Sequence, residues 1–218
     1  MDRAAPDGMM SKLPVAREGW PFIAIPAAIA AGLALTGRRA LAVPFAAASL
    51  ASLGFFRDPE RETPAVPGAV LAPADGRVMS VDELDDPFVG PAVRVAIFLS
   101  PLDVHVNRSP IAALVVGVTY SRGRFVAAYQ PDAGRVNERC VVNLQGENAR
   151  VTVVQIAGAV ARRIVCRVGP GDKLAAGERF GMIRFGSRTD CFMPRGAQMS
   201  VRAGDRVVGG ITVLGALA

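Results

Sequence analysis

The first part of the chain contains two long segments without a charged side chain. Residues 19–37 are uncharged, Arg38 and Arg39 follow, and residues 40–56 are uncharged again. As helices, these segments of 19 and 17 residues would be roughly 26–28 Å long, close to the ~30 Å hydrocarbon core of a bilayer. The pattern predicts an apolar helical hairpin over residues 19–56 that is associated with a membrane.

Two alternatives to a spanning hairpin remain open. Both segments are rich in alanine and contain Pro21, Pro26 and Pro44, so the pair could instead be re-entrant or lie on the membrane surface. In the other alternative, a signal peptide is cut after residues 40–42. That interpretation places two arginines between the apolar region and the cut, which is atypical of signal peptides.

Basic residues are more frequent on the outer flanks of the predicted hairpin than in its connecting loop. The flanking residues are Lys12, Arg17, Arg57 and Arg61. Because basic flanks stay on the cytoplasmic side, we expect the rest of the chain to lie at the cytoplasmic face of the cell membrane.

After the hairpin the pattern changes to short runs rich in valine and isoleucine, separated by glycine-containing turns. The predicted strands are residues 76–81, 93–99, 113–120, 140–144, 150–156, 163–168, 180–185, 198–201 and 209–214. Segments of this length and spacing are typical of a β sandwich or barrel. We therefore predict a mainly β domain over residues 68–218, after a polar N-terminus (residues 1–18) and a charged, proline-rich linker (residues 57–67). Residues 158–163 could form a short helical turn.

Two similar segments suggest a second function class. Residues 168–177 and 201–210 both place Gly-Asp five residues before a glycine, between strand-like runs. Such hairpins recur in lipoyl- and biotinyl-carrier domains, which are flattened β sandwiches. A non-catalytic, membrane-tethered carrier or binding module is therefore the alternative to an enzyme. Its modified lysine would be Lys173, which lacks the flanking methionines of those domains.

Composition narrows the choice of partners. The chain has 25 basic and 19 acidic residues, a net charge of +6, and 51% apolar residues. This balance suits an anionic membrane surface. Nucleic acid is a weaker candidate because two tyrosines and one tryptophan provide few aromatic rings for stacking. The cysteines, Cys140, Cys166 and Cys191, do not have metal-ligand spacing, and we predict reduced thiols and no metal site.

Two polar segments carry candidate acid–base groups. Asp75 lies in a tight turn before a predicted strand, a position that structural aspartates often occupy. His105, the one histidine of the chain, lies in a segment bounded by two prolines. In an extended run Asp103 and His105 point to the same side. A histidine held between aspartate, asparagine and arginine is a candidate acid or base.

A third segment carries a candidate nucleophile. Gly186-Ser187 follows a predicted strand over residues 182–185 and precedes a predicted polar turn. The hydroxyl of a serine in this position can attack the preceding carbonyl, and glycine neither obstructs the attack nor resists strained backbone angles. The chain could therefore cut itself between Gly186 and Ser187 and convert Ser187 into a pyruvoyl group.

Together these segments resemble the three motifs of phosphatidylserine decarboxylases. The matching residues are 73–76 (PADG), 98–108 (FLSPLDVHVNR) and 184–187 (RFGS). The resemblance covers roughly residues 57–218 and is closest to the short form found in bacteria and archaea.

The resemblance implies a proenzyme that is cleaved at Gly186-Ser187. Its products would be a β chain (residues 1–186) and an α chain (residues 187–218) that begins with the pyruvoyl group and forms a heterodimer or higher oligomer with the β chain. The substrate would be phosphatidylserine in an anionic membrane, and the products phosphatidylethanolamine and CO2. Pyridoxal phosphate, the usual alternative electron sink, needs a lysine, and neither Lys12 nor Lys173 has a suitable setting.

The resemblance also implies roles for individual residues. His105 is the preferred proton donor or substrate-positioning residue, and Asp75 is the preferred partner of Ser187 in self-cleavage. Longer bacterial members carry a second histidine where this chain has Arg108, so the base is open: Asp75, His105 in both roles, and a strain-driven acyl shift are the alternatives. Arg108 and Arg188 are candidate ligands for the lipid phosphate or the serine carboxylate.

Overall fold

The computed structural model describes residues 14–130, 132–159, 163–184 and 186–217. The chain divides into two compact units, with the boundary between Glu60 and Arg61.

The first unit contains a helical hairpin. A 3-10 turn at Arg17–Gly19 leads into α1 (Trp20–Leu35), and α2 (Arg39–Phe55) returns. The helices are joined by a hydrogen bond of 2.9 Å from Ser49 Oγ to the Ile23 carbonyl oxygen. The predicted pair of apolar helices is confirmed.

Both ends of the hairpin are held together at one side. Ala16 N–H donates to the Phe56 carbonyl oxygen at 2.8 Å, and the rings of Phe22 and Phe56 stack with centroids 5.4 Å apart. Gly19 leaves room for this ring, because a Cβ atom on Gly19 would lie 2.4 Å from Phe56 Cβ. The close contact of Gly19 with Phe56 thus closes the hairpin.

The surface of this hairpin is apolar on all sides. Large apolar side chains are exposed on both helices, among them Ile25, Leu35, Val43 and Leu50. Helices that are apolar all round are normally covered by protein or lipid. Among the described residues, one helix, Arg17–Leu35, is long and apolar enough to cross a membrane by length and composition.

The second unit is built almost entirely of antiparallel strands. They are β1 (Ala69–Leu71), β2 (Gly76–Asp86), β3 (Gly90–Leu99), β4 (Val106–Arg108), β5 (Ala113–Ser121), β6 (Arg139–Gln145), β7 (Arg150–Ala157), β8 (Ile164–Cys166), β9 (Lys173–Leu174), β10 (Arg179–Ile183), β11 (Ser187–Pro194), β12 (Gln198–Met199), β13 (Arg206–Val207) and β14 (Val213–Ala216). A short helix, α3 (Ala133–Val136), precedes β6. The predicted mainly β fold is confirmed.

One large sheet and two small ones enclose the core. The large sheet has the order β13-β2-β3-β11-β7-β6-β5-β9, and the small sheets have the orders β4-β10-β8 and β1-β14-β12. Residues of all three sheets share one apolar cluster, for example Ile97 of β3, Phe180 of β10 and Leu214 of β14. Burial of this cluster holds the small sheets against the large one.

The predicted polar turn after Gly186-Ser187 is wrong. Ser187 instead begins β11, which is central in the large sheet and is paired with β3 and β7. The polar residues Arg188 and Asp190 are tolerated there because they form a buried ion pair with each other, at 2.6 Å. A run of charged side chains that looks like a surface turn can therefore be an interior strand.

Other strand predictions differ in smaller ways. The strand expected at residues 209–214 lies at Val213–Ala216, and the sequence pattern did not predict the short strands β1, β4, β9 and β13. Residues 160–162 of the expected helical turn lie outside the described residues. Two- and three-residue strands depend on partners elsewhere in the chain, so local periodicity cannot reveal them.

Candidate active site

Backbone hydrogen bonds bring the three polar segments together. Arg108 N–H donates to the Pro73 carbonyl oxygen at 2.9 Å, which joins the segment containing Asp75 to the one containing His105. Ile183 N–H donates to the His105 carbonyl oxygen at 3.2 Å, which joins the second segment to the third. Residues far apart in sequence thus form one cluster beside β10 and β11.

His105 is fully buried, and hydrogen bonds determine its orientation. Its Nδ1 lies 2.9 Å from the Asp103 carbonyl oxygen, which can only accept a hydrogen bond. Its Nε2 lies 3.3 Å from the backbone nitrogen of Gly186, which can only donate. These partners assign the neutral tautomer with the proton on Nδ1, and the basic lone pair of Nε2 points to the Gly186 backbone.

The carboxylate of Asp103 has other partners. It accepts hydrogen bonds from the Arg206 guanidinium at 2.6 Å and from Ser100 N–H at 2.8 Å. Asp103 therefore orients His105 through its main-chain carbonyl, while its side chain stabilises the turn that precedes β4.

Ser187 is buried and chemically available. It is the first residue of β11, opposite Leu99 of β3 and Ala157 of β7, and it is 0% exposed. In the part of the chain that the structure describes, its Oγ has no hydrogen-bond partner. Because an unpaired buried hydroxyl costs about 1–3 kcal/mol, such an atom calls for a functional explanation.

The glycine before Ser187 has a backbone conformation that other residues avoid. Gly186 has φ +68°, and the space around a Cβ atom at this position is open. Glycine is therefore required here for its backbone angle rather than for lack of room.

A buried polar network lies next to Ser187 on the same face of β11. Asn107 Nδ2 donates to Thr189 Oγ1 at 3.1 Å, and Gln155 Nε2 donates to Asn107 Oδ1 at 2.8 Å. All three side chains are fully buried. Sequence reasoning missed Gln155 and Thr189, although an amide between Val154 and Ile156 in a valine-rich strand is a signal that could have been used.

Asp75 lies in a separate charged pair. The Arg61 guanidinium donates to both carboxylate oxygens, at 2.6 and 2.8 Å, and Gly209 N–H donates at 2.8 Å. The described contacts of Asp75 do not include Ser187. Arg61 was assigned to the linker, and nothing in its local sequence indicates this partner.

The two arginines proposed as substrate ligands are both buried. Arg108 donates from Nη1 to the Gly177 carbonyl oxygen at 3.0 Å. Arg188 binds both oxygens of Asp190, at 2.6 and 2.7 Å, and its side chain points to the opposite face of β11 from Ser187. Burial raises the pKa of Asp190, and the guanidinium of Arg188 opposes that rise.

Comparison with known proteins identifies the family to which this arrangement belongs. A family model described as phosphatidylserine decarboxylase matches residues 50–215. The chain belongs to the phosphatidylserine decarboxylase family. The match includes all three polar segments and extends into α2.

Bacterial members of the phosphatidylserine decarboxylase family are similar over nearly the whole chain. A phosphatidylserine decarboxylase proenzyme of Symbiobacterium thermophilum is 50% identical over 206 residues, 93% of this chain and 95% of the relative. Proenzymes of Nitrosomonas europaea and Burkholderia ambifaria are 46% and 43% identical, over 92% and 93% of this chain and 94% and 96% of the relatives.

Membership of the phosphatidylserine decarboxylase family favours an enzyme over the carrier module considered from the sequence. In the structure Lys173 is exposed, but it lies in β9, where it pairs with Leu114 of β5. The confirmed resemblance rests on the segments around Asp75, His105 and Ser187 rather than on this lysine.

Proposed function

We propose that this chain cuts itself between Gly186 and Ser187 and then decarboxylates phosphatidylserine to phosphatidylethanolamine and CO2, using a pyruvoyl group made from Ser187. Membership of the phosphatidylserine decarboxylase family supports the reaction. The single observation that carries the choice of residue is the Oγ of Ser187, which is buried, has no hydrogen-bond partner among the described residues, and directly follows the positive-φ Gly186.

Self-cleavage is proposed to follow an acyl shift. Ser187 Oγ attacks the Gly186 carbonyl carbon, the C–N bond breaks, and Gly186 becomes esterified to Oγ. Loss of the Ser187 Cα proton then expels the Gly186 carboxylate, and water replaces the nitrogen, which leaves as ammonia. One water is consumed overall, and no oxidant or reductant is needed.

The proposed fragments would remain associated after the cut. Residues 187–218 include β11, which pairs along its length with β3 and over most of its length with β7, both in the fragment 1–186. Those hydrogen bonds lie inside the large sheet and are shielded from water. A two-chain enzyme without a covalent link is the expected product.

We assign His105 as the base in self-cleavage and the proton donor in turnover. Its Nε2 lone pair points to the Gly186 backbone, which places a basic nitrogen beside the scissile unit. Asp75 is the weaker candidate for the base because Arg61 and Gly209 already occupy its carboxylate. A substrate-binding role of Arg108 and Arg188 stays a prediction.

A pyruvoyl carbonyl would supply the electron sink for the carbanion that remains when CO2 leaves. The surroundings of Ser187 suit such a group, since Thr189, Asn107 and Gln155 form a rigid, hydrogen-bonded wall beside it.

The proposal also places the enzyme at the cytoplasmic face of the cell membrane. The long apolar helix, together with the net charge of +6, supports contact with an anionic bilayer that contains the substrate. Arg17 and Arg57 on the flanks of the hairpin support the cytoplasmic orientation.

The decisive experiment combines intact mass with a lipid assay on the full chain in detergent micelles. We expect two fragments, a small fragment with a carbonyl in place of its N-terminal amine, and release of labelled CO2 from carboxyl-labelled phosphatidylserine. Ser187→Ala should remain one chain of 22.8 kDa and release no CO2. Activity in an uncut wild-type chain would overturn the proposal.

A further inference from the structure

Gly158, directly after β7, lies against the carbonyl group of Gly186. A Cβ atom built on Gly158 would lie 2.2 Å from the Gly186 carbonyl oxygen and 3.1 Å from its carbonyl carbon. The contact follows from the strand register, because Ser187 pairs with Ala157 and the preceding residue therefore faces Gly158.

Glycine is required at this position for space alone. Gly158 is not among the glycines with positive φ, so its backbone conformation would accept an L-residue. The clash is with main-chain atoms rather than with the end of a flexible side chain. An added methyl group therefore has to displace the Gly186 carbonyl, the Gly158 backbone, or both.

The Gly158 side of this contact is held firmly. Asn137 Nδ2 donates to the carbonyl oxygen of Ala157 at 2.7 Å, and Ala157 N–H donates to the Glu138 carbonyl oxygen at 2.9 Å. The same Asn137 side chain accepts from Val126 N–H at 2.9 Å and donates to the Val126 carbonyl oxygen at 2.8 Å. The buried Ala128 lies beyond, with its Cβ 3.3 Å from the same added atom.

The Gly186 side of the contact is held less firmly. Gly186 lies just before β11, its hydrogen bond among the described residues is the 3.3 Å contact from its N–H to His105, and glycine itself is the most flexible residue. A methyl group on Gly158 would therefore move the Gly186 carbonyl rather than the Asn137-anchored strand.

We propose that Gly158 is a positioning residue for self-cleavage, which keeps the Gly186 carbonyl within reach of Ser187 Oγ and leaves room for its oxygen during the attack. This inference rests on the proposed cut between Gly186 and Ser187. Relief of the clash requires a shift of about 1 Å, and a misplacement of that size costs about 100-fold in rate. The acyl shift in Gly158→Ala is therefore about 100-fold slower than in the wild type.

The test measures self-cleavage of the full chain over time by intact mass, in wild type, Gly158→Ala and Gly169→Ala. Gly169 is the matched control, because it also lacks a positive φ and an added Cβ there meets open space. Circular dichroism and thermal unfolding check the fold of the uncut chains against Ser187→Ala.

Hydroxylamine separates a positioning effect from a general loss of structure. It cleaves an ester between Gly186 and Ser187 Oγ, so it should accelerate the cut in wild type. Over the same time it should leave folded Gly158→Ala largely uncut, because the ester forms about 100-fold more slowly. A chain stalled after the acyl shift would instead be cut by hydroxylamine.

The outcomes are distinguishable from failure of the proposed function. Absence of any cut at Ser187 in wild type would overturn the proposed cleavage itself. Cleavage of Gly158→Ala and Gly169→Ala at equal rates, or a hydroxylamine-sensitive Gly158→Ala, would overturn the role of Gly158 alone. A Gly158→Ala chain that fails to fold would also overturn it, since the clash would then affect more than one carbonyl.

Discussion

His105 Nε2 accepts a hydrogen bond of 3.3 Å from the backbone N–H of Gly186, the residue whose carbonyl precedes Ser187. The one imidazole of the chain is thus coupled to the backbone of the proposed cleavage site, and the carbonyl oxygen of Asp103 holds its other nitrogen. His105 can therefore have two roles that are tested separately: it holds Gly186 by a hydrogen bond, and it can move a proton.

The first prediction uses His105→Gln. A glutamine can accept a hydrogen bond from Gly186 N–H but cannot act as a base near neutral pH. We expect self-cleavage to slow by about 10²–10⁴-fold, the usual contribution of general base catalysis. The measurement is the half-time of the uncut band after synthesis. Cleavage at the wild-type rate would leave Asp75 or a strain-driven shift as the explanation.

The second prediction compares Asp75→Asn with Arg61→Met. The two side chains form a largely buried ion pair, so removing either partner should cost about 3–5 kcal/mol of folding stability. If the pair is structural, as its contacts indicate, both variants lower the thermal midpoint alike, and their folded fractions cut at similar rates. If Asp75 is the base, Asp75→Asn alone stops the cut.

The third prediction concerns the buried pair of Arg188 and Asp190, tested in the uncut Ser187→Ala chain. Arg188→Met leaves the buried carboxylate of Asp190 with only the more distant Arg94 guanidinium, at 4.0 Å, and should lower the unfolding free energy by about 3–5 kcal/mol. Thermal unfolding measures this loss, and Arg188→Met/Asp190→Leu should recover most of it.

The pH dependence of this variant has a definite sign. Burial raises the folded-state pKa of Asp190 above its unfolded value of 3.8, so stability falls as the pH rises through the interval between the two pKa values. Removing Arg188 widens that interval. The loss of unfolding free energy caused by Arg188→Met should therefore be larger at pH 8 than at pH 5. An equal loss at both pH values would contradict the prediction.

The fourth prediction concerns the thiols. A hydrogen bond from Cys140 lowers the pKa of the half-buried Cys166 to about 7, whereas burial raises the pKa of Cys191 and the contact with Cys166 raises that of Cys140. Since the thiolate is the reactive form, iodoacetamide at neutral pH should label Cys166 first. Peptide mapping after brief labelling checks this order. Cys140→Ala should raise the pKa of Cys166 and slow its labelling.

Much of the fold could be predicted locally. The apolar helices follow from uninterrupted uncharged segments, and strands such as β3 and β7 follow from their valine- and isoleucine-rich runs. β11 could not be predicted in the same way. Its first residues, Ser187, Arg188, Thr189 and Asp190, are polar and all buried. Arg188 and Asp190 pair with each other within the strand, and Thr189 accepts from Asn107 of β4, a partner 82 positions away in sequence.

The candidate site shows the same division. The three polar segments carry enough local information to indicate the family, because their residue types and order are distinctive. The sequence could not decide between Asp75 and His105 as the base. An aspartate in a turn has the same local sequence whether its carboxylate is free to act as a base or is bound by Arg61. The sequence assigned Gly158 only to a possible short helical turn over residues 158–163, because its contact with Gly186 depends on the register of β7 and β11.

By itself, the sequence determined which segments are apolar helices, which runs are β-prone, and which residues can supply a nucleophile, a base and a carbonyl. The tertiary structure decided which of them meet: Gly186 with His105, Gly186 with Gly158, and Asp75 with Arg61. The physical reason is the distance along the sequence over which each interaction acts. Hydrophobic periodicity acts between neighbours in sequence, whereas strand register and buried hydrogen bonds join residues tens of positions apart.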